Sequence, residues 1–201
     1  MYIANRTEGR RGAPLLLTFH GTGGDEMQFH DLGRQLVPGA HVVSPRGDVS
    51  EAGHARFFRR TGEGVYDMDD LAKRTAAMAD FIAAEKARTG AGRVMGLGYS
   101  NGANILASVA LLQPGLVDDL VLLHPLIPWT PPPQPGLNGR RVLITAGERD
   151  AICPPDQTRA LEAYLRAQGA QVETMWHPGG HEIAQAEILR AAEVLQGESA
   201  L

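Results

Sequence analysis

A single cysteine, Cys153, stands in a chain of 201 residues. An internal disulfide is therefore excluded, and a reducing compartment such as the cytoplasm is the expected location. Positive charge is also short: 19 Lys and Arg face 23 Asp and Glu, for a formal net charge of -4. A nucleic-acid partner gets no electrostatic support from that balance. No apolar run approaches the length of a bilayer span, and the opening stretch MYIANRTEGRRGAP holds no apolar signal core, so no membrane partner is expected. Internal repeats, low-complexity tracts and convincing linkers are missing too. The segment PWTPPPQPG (128–136) is short and reads as a stiff surface loop between two strands. The chain is expected to form one domain over 1–201, with nothing large enough for a separate lid.

What is present is a regular alternation. Apolar runs at 15–19, 41–44, 93–97, 120–123, 142–146 and 172–176 read as strands. Most are continuously apolar, as parallel strands covered on both faces are. Between them lie helical patterns. Phe29, Leu32 and Leu36 share one face, and Leu71, Thr75, Met78 and Ile82 another, the latter opened by Asp67, Asp69 and Asp70. The stretch 101–112 is apolar nearly all round and predicts a buried helix. Leu161 and Leu165 mark a fourth helix stopped by Gly169; Ile183, Ile188, Leu189 and Leu195 mark a fifth stopped by Gly197. Strand and helix in alternation predict an α/β fold with a mostly parallel, doubly wound sheet.

Ligands of such a sheet bind beyond the carboxyl ends of its strands, and four of those ends carry reactive or backbone-exposing residues. At the first, strand 93–97 runs through GYSNG into a helix, which is G-x-S-x-G in a strand–turn–helix setting that would present Ser100 as a nucleophile. The blander reading is a serine capping the helix. The second is HGTGGDE after strand 15–19. Its glycines leave amides free, and the backbone N–H groups of Thr22 and Asn101 are the expected oxyanion donors. A phosphate loop is the rival, but the Walker lysine and G-x-G-x-x-G are both missing. His20 is expected to be structural. In AGERDAICP, the third, Glu148 and Asp150 both qualify as the acid that orients a histidine; Asp150 is preferred because it stands deeper in the loop. The fourth, HPGGHEI, offers His177 and His181. His177 precedes a proline and is held extended, whereas Gly179 and Gly180 would let His181 swing toward the site. The two histidines cannot share a helix face across Pro-Gly-Gly, and H-E-x-x-H is absent, so neither metal nor cofactor is expected.

Ser100, Asp150 and His181 follow the nucleophile–acid–base order of one fold. With HGTGGDE, SPRG, RFFRR, GYSNGAN, AGERDAICP and GGHE, the chain resembles the small bacterial α/β-hydrolases of the carboxylesterase/phospholipase group, related to acyl-protein thioesterases and dienelactone hydrolases. The resemblance implies Ser100 as nucleophile, His181 as base, Asp150 as its orienter, and Thr22 and Asn101 as oxyanion donors, with a homodimer possible. It implies a serine hydrolase acting on a small-molecule ester. Cleavage of lysophospholipids or acyl-protein thioesters, or ligand binding without turnover, are the alternatives. Dienelactone hydrolases proper carry cysteine where this chain has Ser100, so their substrate is not carried over. A last expectation concerns charge. Arg46 and Arg59, with Phe57 and Phe58 as an apolar wall, would receive an anionic group of the substrate; ion pairing with nearby acids such as Glu51 and Glu63 is the competing role.

Overall fold

A computed structural model describes residues 2–197. Its centre is a seven-stranded sheet built from β1 (Ala4–Thr7), β2 (Leu15–Phe19), β3 (His41–Pro45), β8 (Val94–Tyr99), β9 (Asp119–Leu123), β10 (Arg141–Gly147) and β11 (Gln171–His177), in the spatial order β1-β3-β2-β8-β9-β10-β11. All neighbouring pairs are parallel except β1 with β3. The chain between β3 and the next helix folds into two small hairpins, β4 (Val49–Glu51) with β5 (His54–Arg56), and β6 (Arg60–Gly62) with β7 (Val65–Tyr66).

The continuous apolar runs have the cause expected of them. Along β2, Leu15, Leu17 and Phe19 enter one core cluster while Leu16 enters the other; in β9, Leu120 and Leu122 part from Val121 and Leu123 in the same way. Alternate side chains thus fill opposite faces of the pleat, and both faces are dry. Helices α2 (Met68–Thr89), α3 (Asn101–Leu112) and α4 (Pro155–Ala167) cover one face; α1 (His30–Leu36) and α5 (Gln185–Gln196) cover the other. The start of α2 is set by Asp67, whose carboxylate accepts the Asp70 amide, and its end by Gly90 in the left-handed region.

Two readings of the sequence need correcting. Ile183 and Leu189 do not belong to the buried face of the fifth helix: α5 begins at Gln185, Leu189 is 59% exposed, and the buried positions are Glu187, Ala191 and Leu195. An acidic residue facing inward hid the true stripe. The segment RFFRR is not an open loop lined with aromatic surface either. Phe57 and Phe58 are fully buried in the α2/α3 core cluster, where each contributes about 1.5–3 kcal/mol by leaving water.

Candidate active site

Because β2, β8, β9, β10 and β11 are parallel, their carboxyl ends open on one edge of the sheet, and five loops meet there. Strand β8 runs two residues beyond its apolar stretch, so α3 starts directly behind Ser100. Ser100 sits at φ 51° and ψ -116°, a conformation an L-residue adopts only under constraint. The glycines on either side make the turn possible. A Cβ on Gly98 would stand 2.5 Å from the Gly102 carbonyl oxygen, and one on Gly102 would meet the His20 carbonyl oxygen at 2.5 Å. Both are close approaches of backbone to backbone, so any side chain there would push the turn off the β2 loop. Ser100 makes no side-chain cap on α3, which removes the blander reading of that hydroxyl.

The acid and base loops are stitched together before their side chains meet. The Glu148 amide donates to the His177 carbonyl at 2.8 Å and the Arg149 amide to the Gly179 carbonyl at 2.9 Å. Gly147 permits this approach, since a Cβ there would collide with the Gly180 carbonyl. The Gly179–Gly180 pair therefore gives no free swing: Gly179 accepts from Arg149, and the Gly180 amide donates to the Glu182 carboxylate. His181 is pinned as well, with its carbonyl accepting the Tyr99 hydroxyl at 2.7 Å.

The result is a hydrogen-bonded series. His181 Nε2 lies 2.9 Å from Ser100 Oγ, and His181 Nδ1 lies 2.7 Å from Asp150 Oδ2. Asp150 Oδ1 accepts the amides of Ile152 at 2.9 Å and Cys153 at 2.8 Å. Burial alone would raise the Asp150 pKa; the Cys153 amide, His181 and His124 outweigh it and hold the carboxyl below its ordinary value. Asp150 is buried, whereas Glu148 is exposed, so the geometry separates the two acids. His177 is engaged elsewhere: its Nδ1 accepts the Gly179 amide at 3.1 Å and its Nε2 stands 3.6 Å from Glu187.

Thr22, Ser100 and Asn101 line one cleft of about 30 Å³ together with Arg56, Arg60, Glu63, Tyr66, Leu126 and Ile152. Among the described residues, no protein acceptor takes the backbone N–H of Thr22 or Asn101, while the Gly21, Gly23 and Gly24 amides around Thr22 are all engaged. His20 is structural, as expected. Its Nδ1–H donates to the Gly21 carbonyl and its Nε2 accepts the Gly47 amide, and burial holds its pKa below the ordinary value. The RFF segment reaches this cleft in a way its sequence does not announce. Arg56 donates to Thr22 Oγ1 at 2.6 Å, and the Phe57 amide donates to Asn101 Oδ1 at 2.7 Å. One short stretch thus braces Thr22 and Asn101 through their side chains.

The apolar wall expected beside the arginines is not there. Phe57 and Phe58 are core residues with no exposed surface to offer. Arg46 and Arg59 are exposed and do not line the cleft; Arg46 Nε stands 3.6 Å from Glu26. The two guanidinium groups that do line it are already paired, Arg56 with Glu51 and Arg60 with Glu51 and Glu63. Also unforeseen is His124, at the end of β9, buried between Asp150 and Glu187. The signal was present, because His124 follows an apolar run at a fifth strand end of the same edge. His124, Asp150 and His181, and His124, His177 and Glu187, form two groups with donor atoms within 4.8 Å of one another. In the first, both imidazoles direct Nδ1 at one carboxylate oxygen, the geometry of a proton-linked series.

A doubly wound parallel sheet with a serine on a strained strand–helix turn, facing a histidine, defines an α/β-hydrolase. The chain belongs to the dienelactone hydrolase family, whose sequence profile matches residues 48–187. It is 42% identical over 181 residues to MhqD of Bacillus subtilis (strain 168), which carries a hydrolase name, covering 89% of this chain and 90% of that one. Among solved structures it is similar to the protein Atu2452 of unknown function from Agrobacterium tumefaciens str. C58 (57% identity, TM-score 0.93, 98% of this chain and 97% of that chain). It is also similar to the Bacillus cereus carboxylesterase (34% identity, TM-score 0.93, 99% of this chain and 95% of that chain). The protein is a hydrolase. No helix among the described residues is long and apolar enough to cross a membrane.

Proposed function

We propose that the protein is a serine esterase that cleaves small, uncharged carboxylic esters through an acyl-enzyme. The observation that carries this reading is the series Ser100 Oγ, His181 Nε2 and Nδ1, Asp150 Oδ2, with links of 2.9 and 2.7 Å, beside two uncommitted backbone amides. His181 Nε2 takes the Ser100 proton as Oγ attacks the ester carbonyl carbon. The carbonyl oxygen, now negative, is received by the N–H groups of Thr22 and Asn101, and Asp150 stabilises the imidazolium through Nδ1. Collapse expels the alcohol, which takes its proton from Nε2. Water then repeats the sequence on the acyl-Ser100 ester, giving its proton to His181, and free acid and Ser100 are restored.

The cleft beside Ser100 is narrow and lined largely by polar and charged side chains, among them Thr22, Arg56, Arg60, Glu63 and Asn104, which supports short acyl groups over long apolar chains. Its paired charges support neutral esters over those with a free carboxylate. A panel of p-nitrophenyl esters from acetate to palmitate, with Ser100→Ala as the blank, tests the reading. kcat/KM should fall as the acyl chain lengthens, and a rise with length would assign the site to lysophospholipids or acyl-protein thioesters. Absence of turnover across the panel would leave a binding protein. The single buried thiol fits a cytoplasmic enzyme, which cell fractionation tests; a homodimer is tested by light scattering.

A further inference from the structure

The series does not end at Asp150. Its Oδ2 also accepts from His124 Nδ1 at 3.0 Å, and the other ring nitrogen, Nε2, stands 3.0 Å from Glu187 Oε1. The side chains of His124 and Glu187 are fully buried. The Nε2 contact is too oblique for a straight hydrogen bond, which leaves charge to hold it. Glu187 is anchored in turn by the Ala184 amide on its other oxygen. Acyl transfer from Ser100 requires none of this, and two buried carboxylates are costly unless compensated.

Glu187 is held ionised, its carboxyl kept below the ordinary value against burial by His124, Thr145 and the Ala184 amide. An imidazole with an ionised carboxylate oxygen at 3.0 Å from each nitrogen is compensated best as a cation, because in either neutral tautomer one lone pair would lie against a negative oxygen. The Asp150 carboxylate is poorly placed to carry the extra proton, because its oxygens already accept two amides and His181. The remaining polar surroundings do not reverse this. Cys153 Sγ donates to the His124 carbonyl from the β10 loop. The rings of His177, from β11, and His181, from the loop after it, lie at 5.3 Å, and that of Tyr99, from β8, at 6.0 Å; Glu182 adds negative charge from the surface. Burial pushes the His124 pKa down, but the contacts with Glu187 and Asp150 prevail and raise it.

We propose that His124 is a positioning residue of the active site: an imidazolium at neutral pH, held by Glu187, that fixes Asp150 Oδ2 and offsets part of the negative charge Asp150 presents to His181. With less negative charge behind the base, the acid limb of kcat/KM lies at lower pH. The device would set the acid side of the pH–rate profile without touching substrate. It rests on the esterase reading of Ser100.

The test has two arms. In the wild-type protein, ¹⁵N NMR of the histidine side chains should show both His124 nitrogens protonated at pH 7. A neutral tautomer there would overturn the proposal, and this arm needs neither activity nor a variant. The second arm uses His124→Asn, whose amide keeps a donor near Nδ1 and tolerates the positive φ of 51°. The midpoint of the acid limb of kcat/KM should rise by about 0.5–2 pH units, from one charge removed about 5 Å from the His181 ring. Adding Glu187→Gln should bring the midpoint part of the way back, because one negative charge leaves with it. A folded His124→Asn protein that loses activity equally at every pH would overturn the proposal and leave His124 a packing residue. Failure of the wild type to hydrolyse any ester would instead overturn the reading of Ser100, with the NMR arm still deciding the charge on His124.

Discussion

Replacing Asp150 by asparagine should abolish turnover for a reason the surrounding hydrogen bonds dictate. Oδ1 is held by the amides of Ile152 and Cys153, which accept nothing. The carbonyl oxygen of the new amide must therefore take the Oδ1 place, and its NH₂ must take that of Oδ2. There it faces Nδ1 of His181, which lies 2.7 Å from Oδ2 in the native protein, and Nδ1 of His124 at 3.0 Å. An NH₂ group cannot accept a proton, so His181 is driven to carry its hydrogen on Nε2 and points a donor at Ser100 instead of an acceptor. The general base is lost while the fold is kept. Loss of the acid in a triad of this geometry costs about 10⁴-fold in kcat, or about 5 kcal/mol of transition-state stabilisation. Glu148→Gln, at an exposed position with no contact to His181, should stay within about twofold. Steady-state hydrolysis of p-nitrophenyl acetate by both variants, with circular dichroism to confirm folding, decides the matter. If folded Asp150→Asn keeps a tenth of wild-type kcat, or Glu148→Gln falls as far, the assignment of the acid is wrong.

Removing Arg56 by Arg56→Ala frees Thr22 Oγ1 and the Phe58 carbonyl it serves, and kcat should drop by roughly 10- to 100-fold, short of losing an oxyanion donor outright. Arg59→Ala, at an exposed site outside the cleft, should leave kinetics unchanged, and equal effects would restore Arg59 to substrate binding. Stability should vary with pH in two directions, as read by urea unfolding. Asp150 and Glu187 have folded pKa values held low, so their contribution is present above the ordinary carboxylate value of about 4 and is lost as pH falls through the lower folded values. His124 is raised, so its contribution is complete below about 6.5 and is lost as pH climbs through its folded value. His124→Asn should flatten the alkaline decline; an unchanged alkaline slope would remove His124 from that role.

How much of this was legible depended on whether the controlling force was local. The runs in β2, β8, β9 and β10 announce themselves because both faces of a parallel strand are dry, and the elbow announces itself because only glycine fits at 98 and 102. Strand β1 was silent: ANRT is a half-exposed edge with no apolar run to mark it. The RFF segment misled because arginine beside phenylalanine looks the same whether the rings line a cleft or fill a core. Only the long-range contacts of Arg56 with Thr22 and of Phe57 with Asn101 decide between the two. Glu187 was hidden for the opposite reason, since a carboxylate on the buried face of α5 breaks the helical stripe that reveals such faces. Its partner His124 is distant in sequence, and no spacing rule joins them.

The central claim is that Ser100 Oγ is the nucleophile. Intact-mass spectrometry after treatment with a fluorophosphonate, followed by peptide mapping, measures this directly. The wild type should gain one phosphonyl adduct, located on Ser100, in step with loss of esterase activity. Ser100→Ala should gain none, hydrolyse nothing above the blank rate, and keep the wild-type fold. An adduct on another residue, or ester hydrolysis surviving in Ser100→Ala, would contradict the account.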